Sequence, residues 1–369
     1  MTPLESPCEP LRFAALCCLQ RPGPEWRADM HRHSAAADWA LMLHIFRRHR
    51  IEGIAWDSLE RSEVPVPAEF ADELRSAAHR IAAGNLSTAQ VMGRIDKALH
   101  ASGVDTLHVK GLTLACLAYG TVATKSANDI DLLVDAEAVE DAASALTSLG
   151  YQAVLPHGGA ELRQWHRRNK ESVWRHPRRG FVIELHSALS NHPSLIPAIG
   201  LSSPRQQVVL PTGAVVATLA QPHLFAYLTV HGASSAWFRL KWIADLAAIL
   251  SPLAPSRIDE LYRSSRELGA GRSPALALLL CHWLFETPLS EPLLEEIGSD
   301  AAVRRLFRTA VGTFSGSSLS HEGGRGLARS IAIHRLQYGL VPGVRSKLEQ
   351  LKLDWIALAR RAAPPRAPA

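Results

Sequence analysis

From Leu11 to about His100, apolar residues recur at the spacing of one helix face. Within this stretch Trp39, Leu43 and Phe46 share one side of a segment from Ala36 to Arg50, and a long polar-apolar run covers Phe70 to His100. Val64-Pro65-Val66-Pro67 breaks the pattern, because proline lacks the amide a helix needs and biases the residue before it toward extended backbone. Beyond Val104 the period changes. Leu107 to Gly111 predicts a short strand ending in glycine, and Leu112 to Tyr119 predicts a helix. A strand over Asn128 to Val134 follows, then an amphipathic helix from Ala136 to Leu149 that stops at Gly150. Phe181 to His186 is a further strand, and Val208 to Val216 reads as a hairpin around Pro211-Thr212-Gly213. Helical spacing returns at Gln221, and the Pro- and Ala-rich tail from Ala362 to Ala369 predicts disorder. No internal repeat is evident. The expected organisation is α+β: a helical region over 1–100, a mixed sheet-and-helix core over 101–219, a helical domain over 220–361 and the tail at 362–369.

Composition narrows the class. At 369 residues and 47% hydrophobic content the chain can build two or three domains with a sizeable core. The absence of an apolar run of membrane-spanning length and of a charged-then-apolar leader predicts a soluble, cytoplasmic protein. Five cysteines, odd in number and without C-x-x-C spacing, support neither a disulfide framework nor a structural zinc site. The net charge of +5 tolerates anionic substrates without requiring nucleic acid.

The chemistry concentrates in Asn128-Asp129-Ile130-Asp131-Leu132-Leu133-Val134. Strand alternation turns Asp129 and Asp131 to one face and Ile130 and Leu132 to the other. Two like charges side by side on a buried strand need a cation or a donor network. A divalent metal is the simplest compensation; a loop cap for Asp129 with a surface Arg partner for Asp131 is the bland one. Upstream, Lys110 and Gly111 end a strand where a helix begins, so free amides, the helix dipole and a point charge form an anion site. Downstream, Phe181-Val182-Ile183-Glu184-Leu185-His186 places Glu184 and His186 on one strand face.

This ordered set resembles the nucleotidyltransferases of the DNA polymerase β-like fold, with a glycine turn, a strand bearing alternate acids and a third acid on a later strand. The likeness is nearest to the bacterial family labelled uncharacterised nucleotidyltransferase, through Lys110-Gly111, Tyr119-Gly120, Lys125, Asp129 to Val134, Glu184-Leu185-His186 and the segment His231 to Asp245. It departs where Leu112 follows Gly111 and where Lys125 replaces the usual arginine. The resemblance implies a small mixed-sheet polymerase β-like core flanked by helical regions. It further implies Asp129, Asp131 and Glu184 as catalytic metal ligands for two Mg²⁺ or Mn²⁺ ions, with Lys110, Gly111, Thr113, Lys125 and Ser126 binding the NTP. The implied reaction moves an NMP onto a hydroxyl of a small molecule or peptide and releases pyrophosphate. Two other readings stay open: a toxin-like enzyme acting on tRNA, and a non-catalytic nucleotide-binding or scaffold protein.

Three further features bear on these readings. A basic cluster of Arg163, Arg167, Arg168, Lys170, Arg175, Arg178 and Arg179, interleaved with Trp165, His166, Trp174 and His176, is a solvated face, an anion surface or an RNA platform. Lys170 and Arg175 are its first members to test. His231 and Arg239 are candidates to reach the nucleotide or acceptor from the helical domain, and His186 to support Glu184 as a partner behind the metal. Trp237, Leu240, Ile243 and Leu246 form a core stripe, beside which Lys241 and Asp245 have the spacing of an i,i+4 ion pair.

Overall fold

The structure is a computed structural model that describes residues 6–20, 23–127, 129–157, 161–316, 319, 327–343 and 347–355. Asn128 and the tail expected to be disordered over 362–369 lie outside the described residues. Five helices come first: α1 (Glu9–Leu16), α2 (Trp26–Ala35), α3 (Trp39–His49), α4 (Glu52–Ser62) and α5 (Ala68–Ala101). The sheet region then runs β1 (Leu107–His108), α6 (Leu112–Tyr119), β2 (Ile130–Leu133), α7 (Val139–Ser148), β3 (Gln152–Leu155), α8 (Leu162–His166), β4 (Glu171–Arg175), β5 (Val182–His186), β6 (Arg205–Val209) and β7 (Val215–Leu219). Helices return with α9 (Gln221–Ser234), α10 (Leu240–Leu250), α11 (Pro255–Glu267), α12 (Ser273–Phe285), α13 (Glu291–Ser299), α14 (Ala301–Val311) and α15 (Leu327–Leu340). Among the described residues no helix is long and apolar enough to cross a membrane.

Local chemistry explains most boundaries. The Asp38 carboxylate accepts the Leu41 amide at 3.0 Å and starts α3, and Asp300 accepts Ala302 and Val303 to start α14. The prolines at 65 and 67 hold the connector out of helix, so α5 begins only at Ala68. Val209 pairs with Val215 across the predicted Pro-Thr-Gly turn.

Five strands form one sheet in the order β1-β2-β5-β4-β3, while β6 and β7 make a separate hairpin. β2 and β5 are parallel, and the remaining neighbours are antiparallel. This α+β architecture is the one the alternation along the chain implies. Two apolar cores sit around the sheet. One joins Ile130, Leu132, Ile183 and Leu185 to α7 and to the second half of α5, through Ala89, Met92, Ile95 and Leu99. The other is shared by the first helices and the last ones, bringing Phe13, Phe46 and Ile54 together with Phe225, Leu246, Leu279 and Phe307.

The helical surround fixes the loop that leads into β2. Asn85 of α5, buried, donates its side-chain amide to the Val122 carbonyl and, at 2.7 Å, to that of Lys125. On the other side a Cβ at Gly53 of α4 would come within 2.4 Å of the Thr124 carbonyl oxygen, so the close approach requires glycine.

Candidate active site

Register places the acids. Asp131 and Glu184 face each other across the parallel β2–β5 pair, and Val173 of β4 flanks Glu184 on its other side. Asp129 lies one residue before β2, at the mouth of the strand, half-buried. Asp131 is 1% exposed, which makes its charge the costliest in the molecule to leave uncompensated.

One cation and one hydrogen-bond donor compensate it. Lys110, just past β1, puts Nζ 2.7 Å from Asp131 Oδ1 and 3.5 Å from Glu184 Oε2, bridging the two carboxylates. His186 Nε2 donates to Asp131 Oδ1 at 3.2 Å and lies 3.6 Å from Glu184 Oε2. Its Nδ1 is 3.3 Å from Glu171 Oε2, and Glu171 in turn pairs with Lys170. Burial alone would raise the Asp131 carboxyl, yet the Lys110 ammonium and the His186 hydrogen bond hold it well below the usual carboxylate range. Asp129 moves the other way: burial, and then the Asp131 charge, raise it.

These residues suit a cation better than they suit one another. Among the described residues Asp131 Oδ2 is buried with no hydrogen-bond donor, so one oxygen of this buried acid is unsatisfied. Ligand atoms of Asp131, Glu184 and His186 all lie within 4.8 Å of one another, a spacing that admits a metal ion. Asp129 falls outside that cluster and approaches from the cleft side. Glu171, which no sequence signal beyond its alternation on β4 marked, lies behind His186, opposite it across the β4–β5 pair.

Beside Asp129 and Lys110 opens a cleft with about 730 Å³ of space continuous with solvent. Lys110, Gly111, Lys125, Ser126 and Asp129 line it from the sheet side, and His231, Arg239, Lys241 and Asp245 from α9 and α10. Arg50 closes it from the end of α3. The structure thus brings together candidates that stand more than a hundred residues apart. Gly111, which lines the cleft, caps α6 at φ 69° and ψ −124°, a backbone that only glycine adopts readily.

Several expectations meet a different geometry. Thr113, a candidate nucleotide contact, is 1% exposed and donates its hydroxyl to the His108 and Lys110 carbonyls, both at 3.0 Å, so it shapes the turn. The expected Lys241–Asp245 pair does not form. Asp245 instead takes Lys125 Nζ at 2.8 Å and the Tyr119 hydroxyl at 2.8 Å, inside the protein. Lys241 is left against the Ser126 carbonyl at 3.4 Å, and burial, with Lys125 next, lowers its ammonium to about 7. Trp237 belongs to no helical stripe: it precedes α10 at φ 52° and is fully buried. His231 stacks edge-on against Trp242, and burial with the Lys110 charge pushes its pKa down, favouring a neutral ring. Arg239 donates to the Arg48 carbonyl at 3.0 Å and lies over Phe238.

The basic cluster divides. Lys170 reaches the site through Glu171, whereas Arg163 pairs with Glu140 on the surface and Arg175 is exposed. Two of its aromatic members turn inward: Trp174 is 4% exposed and bonds Ser172, and His166 is held by Ser172 and Ser187; Trp165 and His176 are half-buried, the Trp165 indole donating to the Glu171 carbonyl.

No curated protein matches the chain. A family model described as "Uncharacterised nucleotidyltransferase" matches residues 35–286. That span contains the glycine turn, all three acids and both walls of the cleft, and on that match the chain belongs to the uncharacterised nucleotidyltransferase family, a family of nucleotidyl-group transferases.

Proposed function

We propose that the protein transfers an NMP from an NTP to an acceptor hydroxyl and releases pyrophosphate, with Asp129, Asp131 and Glu184 as ligands for two divalent ions. The observation that carries this reading is the in-register pairing of buried Asp131 with Glu184, bridged by Lys110, which itself lines a cation-rich cleft beside a helix N-terminus. Bound at these carboxylates, Mg²⁺ or Mn²⁺ would acidify the acceptor hydroxyl and neutralise the departing pyrophosphate. Glu184, more exposed than its strand neighbour Asp131, would receive the acceptor proton. His186 keeps Asp131 oriented, since its Nε2–H bond to Oδ1 directs the other oxygen elsewhere. The triphosphate lies along the cleft against Lys110, the amides after Gly111, Ser126, Lys241 and Arg50. Lys125 contributes by holding Asp245, and through it α10, against the sheet side. Positioning and charge supply most of the catalysis, as phosphoryl transfer requires.

A small-molecule or peptide hydroxyl is the favoured acceptor. A tRNA end has less support, because Trp174 and His166 of the Arg163–Arg179 cluster are buried and the Trp165 indole is tied to the Glu171 carbonyl, which leaves less aromatic surface for base stacking. Three retained acids argue against a non-catalytic scaffold. Incubation with an α-phosphate-labelled NTP and Mg²⁺ in host lysate tests the reading. Label should enter an acceptor with the wild-type protein and be abolished by Asp129→Asn or Asp131→Asn with the fold intact; undiminished transfer by Asp131→Asn removes the assignment.

A further inference from the structure

A second concavity, with about 1180 Å³ of space continuous with solvent, lies among the C-terminal helices. Arg272 borders it before α12, Arg305 and Arg308 from α14, Arg335 and Tyr338 from α15, and Lys347 from the chain beyond. It shares no lining residue with the cleft at the sheet. Apart from Arg272, its cations lie outside the span that the family model matches.

The charges there are unbalanced. Arg272 is engaged, donating to the Gly339 carbonyl at 3.0 Å with Nε 3.6 Å from Asp300. Arg305, Arg308, Arg335 and Lys347 are exposed, and among the described residues their side chains make no ion pair or hydrogen bond. Among the described residues no carboxylate lines the concavity. Arg305 and Arg308 are also i,i+3 neighbours on α14, whose opposite face buries Val303, Leu306, Phe307 and Ala310. Like charges at that spacing repel, and a merely solvated face would spread them or interleave acids. Here cations from four parts of the chain converge on one hollow, which focuses positive potential inside it.

We propose that this hollow is a second anion site that takes a compact polyphosphate, two or more neighbouring phosphates on one small molecule. Four of the five cations are arginine, whose planar donor fork fits phosphate oxygens in pairs. Five positive groups without a carboxylate call for a ligand with several negative charges in a small volume. A nucleic-acid strand is a poorer match, because the cations ring a hollow and the one aromatic among them, Tyr338, has its hydroxyl tied to Asp354 at 2.9 Å.

Hydrogen exchange of the full chain with inorganic tripolyphosphate as the probe, without divalent metal, tests this. Peptides covering Ala301–Val311 and Leu327–Leu340 should become protected in the wild type. In Arg305→Ala/Arg308→Ala the same protection should need on the order of tenfold more probe, two charged hydrogen-bond donors having been lost. Arg305→Lys/Arg308→Lys should fall between, keeping charge and losing the fork. Both arginines are exposed, so an unchanged melting temperature checks the fold of each variant. Peptides around Lys110 and Lys241 report the cleft at the sheet separately, so failure of one site is distinguishable from failure of the other. No protection at α14 and α15 in the wild type, equal protection in the double alanine variant, or protection by a single-stranded RNA oligonucleotide alone would each overturn the proposal.

Discussion

Lys110 does for Asp131 what a divalent ion would do: its ammonium neutralises a carboxylate that the sheet has removed from water. Burial works against the lysine's charge, yet the Asp131 carboxylate raises its pKa well above the ordinary value, so the pair stays ionised. Removing one member of such a pair leaves the other buried and uncompensated, which costs far more than the pair itself contributes. Lys110→Ala should therefore lose about 3 kcal/mol of stability, read from the urea midpoint, since only His186 would remain on Asp131. Mn²⁺ should raise the variant's midpoint more than the wild type's, because the vacated position asks for a cation. Equal shifts would mean that Lys110 and the metal do not share a role.

At the scale of elements, the strand-to-helix turn depends on glycine. Gly111 holds φ 69° and ψ −124°, and a Cβ there would meet only the Asp129 carbonyl at an ordinary 3.4 Å, so the penalty for alanine is conformational. Gly111→Ala should cost about 1–3 kcal/mol in denaturant and reduce transfer by displacing the first amides of α6; an unchanged midpoint would contradict the backbone argument. This turn was legible in the sequence because Lys110-Gly111 interrupts an apolar run where the period changes. The α6 helix, the hairpin and the acids on β2 and β5 were legible for the same reason: alternation and helical spacing are local. What sequence spacing missed is tertiary. Lys241 and Asp245 have ion-pair spacing on α10, but Lys125 arrives from 120 positions away and takes the aspartate into the interior, where the bond is stronger. Glu171 became visible only when β4 registered against β5 and put it opposite His186. Thr113 reads as a phosphate contact by its place after the glycine, yet the tight turn leaves its hydroxyl nearer two carbonyls than the cleft.

For the whole molecule, the regions before and after the sheet behave as one body, since their helices share a single apolar core that also takes in Leu107 and Leu133 from the sheet. The cleft sits where that body meets the strands, so cations from α3, α10 and the loop before β2 are pressed together: Arg50, Lys241 and Lys125. Lys241 bears the consequence. Burial lowers its pKa most, the Lys125 and Arg50 charges add to that, and Asp245 and Asp129 only partly oppose it, leaving the ammonium near 7 against an ordinary 10.5. The unfolded chain then holds one more proton than the folded chain between these two values, so stability contributed by this site rises with pH across that window. The penalty for burying the charge is complete below about pH 7 and absent above about 10.5. Lys241→Met keeps the stem and removes the titration. The variant should be more stable than the wild type near pH 7, and the difference in urea midpoint should shrink steadily as pH approaches 10, because the wild-type lysine sheds in the folded state the proton it cannot solvate. Taking the difference between the two proteins cancels the other groups that titrate in this range. Parallel curves for the two proteins would show that Lys241 keeps its proton throughout, and that Asp129 and Asp245 balance the positive potential in the cleft.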